Sequence, residues 1–173
     1  MGILFTPTKY FEINKDSEIT EKIIQDVLTE NTERVQVHLY KLNLTDNGWK
    51  KLNDKIFKIK PNIRLRLYSG TELDLKFLKN LPDLENLSLE LHTVQNGSEI
   101  GHLKKLKDFS FVSNQTDFSF LNNLESPLET LFIATDESKH SKSDISVILK
   151  FKQLKSLRIW RYNKNLEQII TGL

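Results

Sequence analysis

Cysteine is absent from this 173-residue chain, which excludes disulfides and thiolate metal ligands. Glycine is scarce, at six, and no cluster of glycines resembles a loop that cradles phosphate. No apolar run approaches the roughly 18–20 residues that a membrane-spanning helix requires. The opening residues Met1-Gly2-Ile3-Leu4-Phe5-Thr6 lack a basic stretch followed by a long apolar core. No secretory signal is therefore expected, and the default location is cytoplasmic. The same residues match the short M-G-x-x-x-[ST] myristoylation pattern, which is too brief to carry weight. Charge is nearly balanced, at a formal +2, and gives no reason to expect nucleic acid. Lysine outnumbers arginine 20 to 5, which leans towards an AT-rich bacterial source.

Motifs for catalysis are missing as well. The four histidines, His38, His92, His102 and His140, follow neither H-x-x-x-H nor H-E-x-x-H spacing. His92 and His102 share one stretch, but two imidazoles without a carboxylate make a poor metal site. There is no G-x-S-x-G, and Asp74, Asp83 and Asp108 show no pairing. The expectation is no catalytic residue, no metal and no cofactor.

What the chain does have is a beat. Leu65, Leu87, Phe109 and Leu131 recur at steps of 22, followed by Leu157 after 26. Two residues on, the same steps give Leu67, Leu89, Phe111, Ile133 and Ile159, and three residues before lie Asn62, Leu84, Leu106, Leu128 and Leu154. Leu78, Ile100, Leu121 and Ile148, then Leu81, Leu103, Leu124 and Phe151, extend each unit backward. One unit thus reads Leu78-x-x-Leu81-x-x-Leu84-x-x-Leu87-x-Leu89. Three-residue spacing suits a short helix or 3-10 turn, and two-residue spacing suits a strand. No unit buries its leucines alone, so neighbours must stack.

This L-x-x-L-x-L core resembles that of the leucine-rich repeat proteins, in the 22-residue internalin-like bacterial class, over about residues 61–165 and more loosely over 33–60. The family pattern has Asn or Cys three residues after the last core leucine, where this chain has Gly70, His92, Asn114, Asp136 and Tyr162; only Asn114 matches. The resemblance implies an α/β solenoid of about six parallel strands lining a concave face. Short helices or 3-10 turns would form the convex side, with a helical N-terminal cap. Residues 1–60 are read as the cap and an enlarged first repeat, and 61–173 as repeats with a C-terminal cap, all in one continuous domain.

In the cap, Tyr10-Phe11-x-Ile13 suggests a strand over the end of the stack. Asp16 and Ser17 precede a helix of about 13 residues with Ile19, Ile23, Val27 and Leu28 on one face. Val35, Val37 and Leu39 alternate as a strand. Asp46-Asn47-Gly48 opens a second helix that turns Trp49, Leu52, Ile56 and Ile59 inward, and Pro61 closes it. Lys50, Lys51, Lys55, Lys58 and Lys60 oppose that face and read as solvated rather than as a nucleic-acid patch. Thr135–Ser146 reads as a surface loop, and Leu166–Leu173 as a short capping helix.

On the concave face the outward positions form rows. One holds His38, Arg66, Ser88, Ser110, Phe132 and Arg158. The next holds Tyr40, Tyr68, Glu90, Val112, Ala134 and Trp160, and the one before holds Gln36, Arg64, Asn86, Asp108, Thr130 and Ser156. Aromatic-plus-arginine shoulders (Tyr40, Tyr68 and Arg66; Phe132, Trp160 and Arg158) flank a small or polar centre. Such residues dominate binding hot spots. The candidate protein-binding set is His38, Tyr40, Arg64, Arg66, Tyr68, Glu90, Asp108, Phe132, Arg158 and Trp160. The implied function is non-catalytic protein binding, with a cytoplasmic immunity protein that blocks a cognate toxin as one form. The alternatives are a general adaptor or regulatory subunit, or a carbohydrate-like ligand on the same face. Neither nucleic acid nor membrane is an expected partner.

Overall fold

The three-residue spacing becomes hydrogen bonds. In the computed structural model, which describes residues 9–115, 117–135 and 146–160, Leu81, Leu103, Leu124 and Phe151 each donate a backbone N–H to the carbonyl three residues back, at 3.0–3.1 Å. These bonds end the 3-10 turns Leu75–Asn80, Gly97–His102, Ser119–Asn123 and Ser146–Lys150. The two-residue spacing becomes strands: β1 (Lys9–Glu12), β2 (Thr32–His38), β3 (Arg64–Asp74), β4 (Asn86–Gln95), β5 (Asp108–Ser113), β6 (Thr130–Thr135) and β7 (Ser156–Trp160). They form one parallel sheet in chain order, a solenoid-like α/β arrangement. Leu65, Leu87, Phe109, Leu131 and Leu157 stand in register across β3–β7.

Between the sheet and the turns runs one apolar cluster from Ile13 to Phe151. Each fully buried leucine in it contributes roughly 1.5–3 kcal/mol. Units are also joined where strands begin. The Glu85 carbonyl accepts from the N–H groups of Lys107 and Asp108, Lys107 from Glu129 and Thr130, and Glu129 from Lys155 and Ser156, all at 2.8–3.0 Å. The side chains alternate in sign along the same ladder, with Lys107 Nζ 2.9 Å from Glu85 and Lys155 Nζ 2.8 Å from Glu129. At the exit of β5, Ser113 Oγ donates to the His92 carbonyl at 2.6 Å, and Gln115 Oε1 accepts from Val94 N–H at 3.2 Å. These side chains hold the turn beside Asn114. Asp136 and Tyr162 lie outside the described residues, as do 2–8, most of Thr135–Ser146, and Leu166–Leu173.

Several expectations need correction. The described sheet has seven strands rather than about six, because β1 pairs in parallel with β2. The first helix, α1 (Glu21–Thr29), starts later than expected, since Thr20 and not Asp16 or Ser17 caps it, its hydroxyl accepting from Ile23 N–H at 3.2 Å. Ile63, not Asn62, is the buried residue that leads into β3. β2 ends at His38, and Leu39–Lys41 is a 3-10 turn, so neither Leu39 nor Tyr40 is on a strand.

The second helix, α2 (Asp46–Leu52), is capped by Thr45 and passes directly into a π-helical turn, Asn53–Phe57. Lys58 N–H accordingly reaches back five residues to Asn53 O at 2.9 Å. Ile56 and Phe57 are both buried in this turn, and the helix ends there, leaving Ile59 in the following turn 60% exposed. Two lysines expected to be purely solvated act as braces. Lys51 Nζ donates to Ile19 O at 2.6 Å, and Lys60 Nζ to Glu30 O at 2.9 Å and Val27 O at 3.3 Å, where it meets the carbonyl-rich end of α1.

Candidate binding face

The sheet surface away from the core carries three rows of side chains. The first runs Tyr10, Arg34, Arg64, Asn86, Asp108, Thr130, Ser156 across β1–β7. The second runs Glu12, Gln36, Arg66, Ser88, Ser110, Phe132, Arg158, and the third runs His38, Tyr68, Glu90, Val112, Ala134, Trp160. On β2 this differs from the sequence alignment by two residues. Arg34 faces Arg64, Gln36 faces Arg66 and His38 faces Tyr68, because Val35 rather than Val37 pairs with Leu65. Nine of the ten candidate residues lie in these rows; Tyr40 stands at the rim, on the turn after β2, 72% exposed.

The β1–β4 end is a connected network. Arg66 donates from Nε and Nη2 to the two oxygens of Glu90, at 2.7 and 2.6 Å. Its guanidinium carbon sits 4.7 Å from the Tyr68 ring centroid. Tyr68 OH donates to Glu12 Oε2 at 2.9 Å, and Glu12 Oε1 accepts from Lys41 Nζ and Asn14 Nδ2, both at 2.9 Å. His38 meets Tyr68 edge-on at 4.9 Å and Tyr40 at 5.9 Å. Bonds from Asn14, Lys41 and Tyr68 pull the Glu12 pKa down to about 2. Burial and the bond to the Glu12 carboxylate push the Tyr68 phenol up. These side chains hold one another in place.

A second contact crosses two strands: Arg64 Nη2 passes over Asn86 to Asp108 Oδ2 at 2.7 Å. Asp108 is half-buried, and the cost of desolvating its carboxylate outweighs the Arg64 charge, so its pKa is raised. At the far end, Phe132 and Arg158 face each other on β6 and β7, with Trp160, 58% exposed, beyond them. Arg158 makes no hydrogen bond or ion pair among the described residues. The structure therefore groups His38, Arg66, Tyr68 and Glu90 at one end, and Phe132, Arg158 and Trp160 at the other. Ser88 and Ser110 lie between them.

Tyr10, Glu12 and Arg34 join this surface without having been anticipated. A compositional clue was available. Four of the five arginines, Arg34, Arg64, Arg66 and Arg158, occupy its outward strand positions, whereas Lys9 alone of the 20 lysines falls within a strand of the described sheet. A groove of about 670 Å³ with a mixed lining, Val94 and Phe120 beside Thr93, Gln115, Asp117 and Asn123, lies elsewhere, between the exits of β4 and β5. His92 is exposed and His102 Nε2 lies 3.1 Å from Glu99; His140 is outside the described residues. Among the described residues no group of three or more His, Asp or Glu side chains has the geometry to hold a metal, and no helix is long and apolar enough to cross a membrane. No protein-family model matches the chain, and no curated protein sequence matches it.

Proposed function

We propose that this chain is a leucine-rich repeat protein of the 22-residue class and that its outward sheet face binds another protein without chemistry of its own. The position of its exposed apolar side chains carries this reading. Five large apolar residues are exposed among those described, namely Tyr10, Tyr40, Ile59, Val112 and Trp160, and all but Ile59 lie on that face or its rim. Apolar side chains gathered on one side of a solenoid, interleaved with arginine, suit a protein partner.

Within this reading the chain is an immunity protein that covers the active site of a toxin in the cytoplasm. The lack of catalytic motifs supports that form over an enzyme. An adaptor or regulatory subunit differs in its readout, since its partner keeps its activity when bound. The test is capture of partners from the native cell with the wild-type chain and with the Tyr68→Ala/Phe132→Ala double variant. One stoichiometric protein is retained by the first and lost by the second. Equal retention by both, with the variant folded, rejects this face as the site.

A further inference from the structure

Arg34 and Arg64 occupy the same position on neighbouring strands, which are about 4.8 Å apart. Like charges placed side by side on a sheet repel each other, and the fold relieves this only in part. Arg64 is paired with Asp108 at 2.7 Å. Arg34 lies over the Tyr10 ring, its guanidinium carbon 5.3 Å from the centroid, and has no carboxylate partner among the described residues. At the foot of the pair is a notch of about 440 Å³ lined also by Lys60, Asn62 and Asn86. Thr32, on the same wall, is 3% exposed, and its hydroxyl is buried without a hydrogen-bond partner. Glu33 is the one acidic residue of the lining.

We infer that the Arg34–Arg64 notch receives a carboxylate side chain of the protein that docks on this face. The proposal rests on the reading of the face as a protein interface, and it specifies the chemistry the partner must bring. Guanidinium groups bind carboxylates through two parallel hydrogen bonds, which explains why the surface uses arginine while lysine is left to the turns and helices. A polyphosphate chain fits less well, because Asp108, Glu90 and Glu12 are set among the arginines on the same surface and would repel a continuous row of phosphates. Single carboxylates on a folded partner avoid them.

The test is NMR of the arginine Nε–H groups in the full chain, titrated separately with an acetylated peptide amide carrying one glutamate among serines, with sodium phosphate and with a thymidine oligonucleotide. The peptide shifts the Arg34 and Arg64 signals to saturation. Arg34→Gln weakens it at least about tenfold, and Arg34→Lys does not restore it, because a point charge replaces the fork. The backbone amide spectrum of each variant verifies its fold. The inference is overturned if those two signals stay still, if phosphate or the oligonucleotide binds at least as tightly as the peptide, or if Arg34→Gln binds the peptide as well as wild type. Failure of the interface itself reads differently: a photo-crosslinker at Ser110, in the middle of the face, then captures no protein at all.

Discussion

Arg66 grips both oxygens of Glu90 across the β3–β4 ladder, at 2.7 and 2.6 Å, with its guanidinium carbon 4.7 Å from the Tyr68 ring centroid. Both charged side chains remain partly open to water. Their coupling in a double-mutant cycle (Arg66→Ala, Glu90→Ala and the pair) is accordingly expected at about 0.5–1 kcal/mol by urea unfolding. Arg66→Lys retains the charge but loses the two-point contact and recovers less than half of it. Zero coupling contradicts a preformed platform.

The acid limb of stability should report on Glu12. Its pKa in the folded chain, about 2, lies below the ordinary value of 4.5. The stabilisation from its bonds is therefore complete above about 4.5 and is lost as pH falls from there through about 2. Glu12→Gln flattens the stability profile within that window and leaves the profile above it unchanged in shape. Solvent screening keeps the effect below about 1 kcal/mol. A variant as pH-dependent as wild type between those limits contradicts the network.

The end of the helix at Phe57 predicts unequal costs on its two sides. Phe57→Ala removes a fully buried ring and costs about 3–5 kcal/mol in chemical unfolding. Ile59→Ala alters an exposed side chain and stays within about 0.5 kcal/mol of wild type. A helix whose inward face continued through Ile59 predicts a loss of about 2–5 kcal/mol there as well.

Gly70 follows the Ser69 bulge, where φ is +59°, and sits against the Leu39 turn. A β-carbon at Gly70 overlaps Leu39 Cδ1 and crowds Leu39 Cβ. Gly70→Ala is expected to lower stability by about 1–3 kcal/mol, with the loss reduced in the Leu39→Ala background.

Much of this architecture was legible because stacked units repeat their burial pattern. The residues from Leu65 through Ile159 keep the spacing that the register displays. What escaped has physical causes. A shift of two residues along a strand preserves which side chains face inward, so alternation alone cannot distinguish Val35 from Val37 as the partner of Leu65. That shift hid Arg34 beside Arg64. The π turn was invisible because an extra residue in one helical turn leaves composition unchanged. β1 was anticipated as a cover for the stack, yet its pairing with β2, and hence the place of Tyr10 and Glu12 on the face, depends on long-range contact that no local pattern reports. The Thr20 cap was obscured by Asp16 and Ser17, which belong to a preceding 3-10 turn.

The most direct test of the central claim is site-specific photo-crosslinking in the native cell, with the reactive group placed at Ser110 on the outward sheet face or at Asn122 on the opposite turn side. The account predicts one discrete protein adduct from Ser110 and none from Asn122, with the Ser110 adduct lost in the Tyr68→Ala/Phe132→Ala background. An adduct from Asn122 alone, or a Ser110 adduct indifferent to both substitutions, contradicts it.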